Sequence, residues 1–223
     1  MHPPCTGRHG VPERVNSATT TTIDFGPLRI SYDERVLTPR PWTINQSRWA
    51  AELAAGAPEG PLLELCCGAG HIGLATIAST RRRLVCVDVD PVACEYTRQN
   101  ADLAGVAGLL EVRTGRLEEC LLPDERFAGI IADPPWVPHE EISRFPEDPV
   151  TAIDGGPDGL DLARACIRVA ADHLLPGGFA VLQVGTRPQV ERLATEMAAE
   201  DSPLGVGEVR EFDRGVLVRL DLA

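Results

Sequence analysis

The stretch PLLELCCGAGHIG, residues 61–73, decides the fold of this 223-residue chain. It opens with a short apolar run, which is typical of a strand buried on both faces of a parallel sheet. The run GAGHIG that follows places glycines in the spacing G-x-G-x-x-G, where a backbone turns tightly and approaches a ligand closely. We therefore predict a strand over residues 61–67 and a helix over residues 68–79.

Strand and helix patterns alternate along the rest of the chain. Apolar runs and their flanking residues predict strands and helices in turn, at residues 84–89, 91–104, 110–113, 127–132, 159–174, 179–184 and 188–199. Because the connections are short, they favour right-handed crossovers and an open, doubly wound, mostly parallel α/β sheet. Ligands of such sheets bind beyond the carboxyl ends of the strands, so the residues that follow each strand are the candidate site residues.

The two ends of the chain carry weaker patterns. They predict a small hairpin, a helix and a closing antiparallel ribbon, at residues 23–36, 46–55, 209–212 and 215–220. Residues 1–22 are rich in Pro, Gly, Ser and Thr, which is typical of a disordered leader. The expected organisation is therefore this leader followed by a single domain over residues 23–223.

Composition narrows the class of protein. No apolar run approaches the roughly 20 residues of a membrane span, and the first residues lack the apolar core of a secretory signal. The 7 cysteines are odd in number and form no C-x-x-C pair, which indicates reduced thiols in a cytosolic protein and no metal site. All 21 basic residues are arginine, which excludes lysine chemistry, and the net charge of −12 disfavours nucleic acid as a partner.

The glycine loop carries an acid on either side. Asp88 follows Gly68 by 20 residues at the end of the next strand, where a carboxylate commonly binds the hydroxyls of a ribose. Glu64 lies inside the strand before the loop, where it either holds the turn or receives a cationic amino group. A nearby carboxylate repels the negative charges of a pyrophosphate, so a zwitterionic sulfonium cofactor fits better than a dinucleotide.

The strongest local motif is Asp133-Pro134-Pro135-Trp136, after the predicted strand 127–132. The prolines remove two amide donors and leave carbonyls facing the cleft, while Asp133 adds an acceptor and Trp136 a flat face. Such a set binds a planar group that carries N–H bonds. Acceptors on both N–H bonds orient the nitrogen and stabilise the positive charge that develops when it attacks a methyl group.

The glycine loop resembles motif I of class I S-adenosylmethionine methyltransferases, with Cys66 where the family often has its first glycine. The resemblance implies a Rossmann-like fold with a seven-stranded sheet and S-adenosyl-L-methionine as cofactor. It also implies that Glu64, Cys66, Gly68, Gly70 and Asp88 bind that cofactor. Leu117, after the third strand, is expected to pack on the adenine face.

Three more stretches are similar to the release-factor glutamine methyltransferase family. They are VLTPRPWT at residues 36–43, DGGPDGLD at residues 154–161, and LPGGF with QVG at residues 175–185. The resemblance implies methylation of a glutamine side-chain amide in a translation release factor. The family usually has Asn at 133, Tyr at 136 and an acid at 42, where this chain has Asp, Trp and Trp, and it has an N-terminal helical domain before this core.

These residues together predict an S-adenosylmethionine-dependent N-methyltransferase of a planar amide or amine nitrogen. Asp133 and the Pro134 carbonyl would bind the acceptor nitrogen, and Trp136 would stack on it. The acceptor is either a release-factor-like protein or a small molecule, peptide or nucleobase. A nicotinamide-dependent oxidoreductase is the competing class, but it leaves the motif at 133–136 unexplained. Arg40 and His71 each have a functional interpretation and a structural one.

Overall fold

A computed structural model describes residues 19–222, in which nine strands form two sheets. The strands are β1 (Thr21–Phe25), β2 (Leu28–Tyr32), β3 (Leu62–Leu65), β4 (Leu84–Asp88), β5 (Leu110–Thr114), β6 (Phe127–Ala132), β7 (Leu174–Val184), β8 (Leu204–Glu211) and β9 (Val216–Leu222). The helices are α1 (Ile44–Ala54), α2 (His71–Thr80), α3 (Pro91–Leu103), α4 (Val150–Ile153), α5 (Asp161–His173) and α6 (Arg187–Ala199). Among these residues, no helix combines the length and apolar character that a membrane crossing requires.

The main sheet confirms the predicted α/β class and its seven strands. Its order is β5-β4-β3-β6-β7-β9-β8, with β3 to β7 parallel and β9 antiparallel to both of its neighbours. The chain runs outward in one direction from β3 through β4 to β5 and returns to the other side of β3 as β6. The carboxyl ends of β3 and β6 therefore flank the point where the strand order reverses, which is where such sheets bind ligands.

Helices cover both faces of the sheet, so its central strands are buried throughout. Successive side chains of β6 enter different clusters: Ile130 packs with residues of α5 and α6, while Ile131 packs with residues of α1 and α2. This alternation follows from the two-residue period of a strand. It explains why the apolar runs in the sequence are continuous and not alternating.

The predicted hairpin is present as a separate sheet formed by β1 and β2, and it packs beside the glycine loop. Asn100 of α3 connects the two, because its Nδ2 donates to the carbonyls of Ser31 (3.0 Å) and Ala69 (2.9 Å). The Tyr96 hydroxyl also donates to Asp33 Oδ2 at 2.7 Å. These bonds position the loop against the hairpin. β1 begins at Thr21, and most of the expected leader lies outside the described residues.

Several predicted boundaries were wrong, each for a local reason. Helix α2 begins at His71 and not at Gly68, because Gly68 (φ 53°) and Gly70 (φ 78°) take the left-handed conformation. Strand β7 begins at Leu174, ahead of the expected residue 179, because residues between its two paired segments loop out where the register to β6 shifts. Strand β8 starts at Leu204, earlier than predicted.

Candidate active site

The glycine loop is held open by backbone conformation. Cys66 has φ 58°, which is unfavourable for a residue with a side chain, and it stands where glycine is expected. A Cβ at Gly70 would lie 2.7 Å from Thr97 Cγ2, so only glycine fits between the loop and α3. A Cβ at Gly68 would meet no atom within 4 Å, because this residue borders open space. We call that space the glycine-loop cavity.

The glycine-loop cavity lies beyond the ends of β3, β4 and β5. Its walls include Cys66, Gly68, Ala69, Asp88, Val89 and Leu117. Asp88 Oδ2 accepts from the Gly68 N–H at 2.8 Å, and Oδ1 accepts from the Asp90 N–H at 2.9 Å. Burial raises the pKa of Asp88 although both hydrogen bonds act to lower it. The carboxylate is thereby fixed at the cavity wall, where its other lone pairs are free to bind hydroxyls.

An apolar slot completes this cavity. Leu117 is buried, and Val89 is 66% exposed although it directly follows a buried strand. Both residues line the cavity, so they offer apolar surface to a flat ring. This arrangement agrees with the expected role of Leu117 and adds Val89, which the sequence analysis did not single out. The sequence placed Val89 inside the predicted strand 84–89, so it is identified only by its exposure in the structure, where β4 ends at Asp88.

Glu64 lies behind the loop and does not line the glycine-loop cavity. It is 2% exposed, and its Oε1 accepts from the Gly73 N–H at 3.0 Å while Oε2 accepts from the Cys86 thiol at 3.2 Å. Burial raises the pKa of Glu64 to about 7. Of the two roles expected from the sequence, this position favours holding the turn over direct contact with a cofactor.

A second cavity, which we call the DPPW cleft, adjoins the first. Pro134 and Trp136 line only the cleft, whereas Asp133 and Pro135 line both cavities. Burial raises the pKa of Asp133 to about 7. Asp133 therefore stands at the boundary between the two spaces, as expected of a group that touches a methyl acceptor next to a cofactor.

The Trp136 ring is fixed by glycines on neighbouring segments. A side chain at Gly185, after β7, would overlap the ring, and one at Gly159 would overlap the Trp136 carbonyl. That carbonyl accepts from Gln189 Nε2 at 3.1 Å. Glycines at 159 and 185 are thus explained by the close approach of backbone to Trp136. Both lie in stretches that the sequence analysis associated with the release-factor family.

Charged and aromatic residues form the outer part of the DPPW cleft. Arg40 Nη2 donates to Asp148 Oδ1 at 2.6 Å, which ties the PRPWT stretch to the segment after the DPPW motif. The guanidinium groups of Arg40 and Arg214 lie 5.7 and 4.9 Å from the centre of the Trp42 ring. Arg40 therefore has a structural partner in this protein. Asp148 and Arg214 were missed because no local motif marks them.

His71 also lines the glycine-loop cavity, but as a neutral side chain. Its ring meets Phe25 of the hairpin edge-on at 4.8 Å, and neither ring nitrogen has a hydrogen-bond partner among the described residues. Burial lowers the pKa of His71 to about 3. The geometry therefore favours packing over the binding of a charged group.

The glycine-loop cavity suits S-adenosylmethionine. The cavity offers a backbone cradle at Gly68, a carboxylate at Asp88 for ribose hydroxyls, and an apolar slot between Val89 and Leu117 for adenine. Asp88 and Asp133 place two carboxyl groups in its walls, which when ionised complement a cofactor that carries a sulfonium and an ammonium group.

Comparisons with known proteins agree with this geometry. A family model described as a methyltransferase domain matches residues 62–148. A release factor glutamine methyltransferase of Gloeobacter violaceus is 30% identical over 200 residues, which cover 86% of this chain and 68% of that protein. A protein of the same name from Mycobacterium tuberculosis is 34% identical and is covered to 55% of its length. A ribosomal protein uL3 glutamine methyltransferase of Bradyrhizobium diazoefficiens is 31% identical and covered to 52%.

Solved structures share the fold at lower identity. The hMettl16 catalytic domain, crystallised with an RNA hairpin, has a TM-score of 0.68 and 17% identity, with 89% of this chain and 75% of that chain covered. An RNA methyltransferase of Salinibacter ruber in complex with S-adenosyl-L-homocysteine has a TM-score of 0.52 and 19% identity, with 82% and 90% covered. This chain spans between about half and two-thirds of the curated relatives named above. It is an S-adenosylmethionine-dependent methyltransferase and belongs to the release-factor glutamine methyltransferase family.

Proposed function

We propose that this enzyme methylates the side-chain amide nitrogen of a glutamine in a release-factor-like protein. The observation that carries the proposal is the position of Asp133, which lines the glycine-loop cavity and the DPPW cleft at once. An acceptor nitrogen bound to Asp133 from the cleft lies next to a methyl group presented from the cavity. The curated relatives, which act on glutamine by their names, support the choice of an amide.

In this proposal the chain's own residues orient the acceptor. S-adenosylmethionine, when bound, supplies an electrophilic methyl group on a sulfonium. Asp133 and the Pro134 carbonyl each accept a hydrogen bond from one N–H of the amide. These two bonds orient the amide so that its nitrogen lone pair points toward the cavity. They also stabilise the positive charge that grows on the nitrogen as it forms a bond to carbon. Trp136 covers the flat side of the amide, and the proton leaves after transfer.

Ionised Asp133 accepts its hydrogen bond from the amide more strongly than the protonated carboxyl does, and only the ionised form carries the negative charge that stabilises the reacting nitrogen. Among the described residues, burial dominates the shift of the Asp133 pKa, which lies at about 7. A bound sulfonium cation beside Asp133 favours the ionised form. Cofactor binding thus prepares the acceptor site electrostatically.

The test is methyl transfer from labelled S-adenosylmethionine to a purified bacterial release factor. We expect label on one glutamine side chain, located by fragmentation in a mass spectrometer. A release factor in which that glutamine is replaced by glutamate is the control. Label that survives this replacement, or no label with cofactor binding demonstrated by thermal shift, contradicts the proposed acceptor. The search then moves to small amides and amines that enter the same cleft.

A further inference from the structure

Gln183 is a buried polar side chain that the proposed reaction does not yet use. It lies near the end of β7, is 5% exposed, and lines the DPPW cleft. Within residues 19–222, no protein group forms a hydrogen bond with its side-chain amide. Its amide atoms are not among the fully buried ones, so the polar end of this otherwise buried side chain is open to the cleft, where a ligand that displaces water must replace the lost bonds. Its direction into the cleft indicates that a ligand supplies the missing bond.

The sheet register places Gln183 next to Asp133. Ala132 of β6 pairs with Leu182 of β7 in a parallel ladder, so the residues that follow them, Asp133 and Gln183, leave the sheet side by side. Partnered residues of parallel strands point to the same face, and neighbouring strands lie about 4.8 Å apart. Both side chains line the DPPW cleft, as this register requires. One ligand group the size of an amide can therefore reach both.

Other donors near Asp133 are already occupied. Gln46 Nε2 donates to the carbonyls of Ala132 (2.9 Å) and Val181 (3.1 Å). The Thr43 hydroxyl donates to the Arg40 carbonyl at 2.8 Å, and Arg40 itself is bound to Asp148. Gln183 is then an amide donor beside Asp133 that no group in the described part of the chain engages.

An amide acceptor needs a donor as well as acceptors. Its NH₂ group donates two hydrogen bonds, and its carbonyl oxygen must accept one. Ionised Asp133 and the Pro134 carbonyl only accept, so neither serves the carbonyl oxygen. We propose that Gln183 Nε2 donates to the carbonyl oxygen of the acceptor amide, which makes Gln183 the residue that selects amides over amines. This inference rests on the proposed function and specifies how the same site recognises its substrate.

The selectivity follows from the cost of an unpaired donor. An amine has no carbonyl, so its binding leaves the Gln183 amide buried and unsatisfied. The loss of one such hydrogen bond corresponds to about a tenfold change in affinity. Gln183 thereby supplies the donor that Asp133, unlike an asparagine, lacks when ionised.

The experiment measures binding of two small probes, so that it does not depend on the release factor. N-acetylglutamine methylamide and N-acetylornithine methylamide are titrated by NMR into the enzyme saturated with S-adenosylhomocysteine. The wild type should prefer the glutamine probe. Gln183→Met keeps the length of the side chain and removes the donor. It should weaken binding of the glutamine probe about tenfold and should not weaken binding of the ornithine probe, because the donor that an amine leaves unpaired is gone. Gln99→Met on the exposed face of α3 is the matched control.

A rescue separates recognition from a structural role. Asp133→Asn supplies an amide donor from the end of the neighbouring strand, so the double variant Asp133→Asn with Gln183→Met should recover most of the lost affinity for the glutamine probe. Three results overturn the inference: Gln183→Met weakens binding of both probes equally, Gln183→Met leaves binding of the glutamine probe unchanged, or the wild type does not prefer the glutamine probe. If the preference depends on Gln183 but a release factor is not methylated, the proposed protein acceptor fails and the role of Gln183 stands.

Discussion

The glycine-loop cavity and the DPPW cleft meet at Asp133, but backbone atoms shape the first and side chains of distant segments shape the second. The loop after β3 supplies the backbone that cradles the cavity, and the ends of β4 and β5 with the residues that follow them add Asp88, Val89 and Leu117 to its walls. The cleft is assembled from side chains of distant segments, among them Trp42, Asp148, Gln183 and Arg214. A cavity made of backbone tolerates few changes, whereas a cleft made of side chains changes its ligand by single substitutions. The departures from the family at positions 42, 133 and 136 all fall in the cleft.

The largest effect on the cavity alone is expected from Asp88→Ala. This change removes the partner of the Gly68 N–H and the carboxylate that we propose binds the ribose hydroxyls. We expect the affinity for S-adenosylmethionine to fall about 100-fold, because two or more hydrogen bonds to a charged group are lost. Calorimetry measures this affinity. In a separate activity assay, kcat at saturating cofactor should be nearly unchanged. An unchanged affinity would remove Asp88 from the cofactor site.

The corresponding change in the cleft is Trp136→Ala. Removal of the ring takes away the flat surface and the packing against Gly185, so we expect kcat/KM for the acceptor to fall about 10- to 100-fold. The affinity for the cofactor should change less than twofold. Trp136→Phe keeps an aromatic face and should recover most of the activity. Equal losses for cofactor and acceptor would show that the two regions are not separable.

The pH profile tests the boundary between the regions. The pKa of Asp133 lies at about 7, and the ionised form is the stronger hydrogen-bond acceptor and the one that stabilises positive charge on the nitrogen, so kcat/KM should rise with pH up to that value and then level off. Asp133→Asn should flatten the profile. The raised pKa also means that the folded state binds more protons than the unfolded state between about pH 4 and 7, so this carboxyl lowers stability as pH rises. Asp133→Asn should therefore stabilise the ligand-free protein more at pH 8 than at pH 4.

The smallest effect is expected at Cys66. Its φ of 58° strains a residue with a side chain, so Cys66→Gly should relieve about 1 kcal/mol, partly offset by the greater freedom of glycine in the unfolded chain. We expect a net stabilisation below about 1 kcal/mol in denaturant unfolding. Cys67→Gly is the control, because Cys67 is 2% exposed and has no positive φ, so its loss should destabilise the protein. Destabilisation by Cys66→Gly would contradict the account of the loop.

The same contrast explains what the sequence could predict. The parallel sheet, the glycine loop and Asp88 follow from local patterns, since each depends on residues close together in the chain. The positions of Asp148 and Arg214 depend on how distant segments pack, and no local pattern encodes that. Gln183 lies between these cases. Its place near the carboxyl end of a predicted strand is where ligands of such sheets bind, but the lack of a protein partner for its side-chain amide is visible only in the structure.

The central claim is that Asp133 joins a cofactor site to a separate acceptor site. The most direct measurement is Asp133→Ala followed in two assays on one preparation: calorimetric affinity for S-adenosylmethionine, and the rate of a single turnover on the acceptor. We predict an affinity within about threefold of the wild type and a transfer rate at least about 100-fold lower, because the group that orients the nitrogen is gone. Transfer that persists in the variant would contradict the claim, and so would a loss of cofactor binding as large as the loss of transfer.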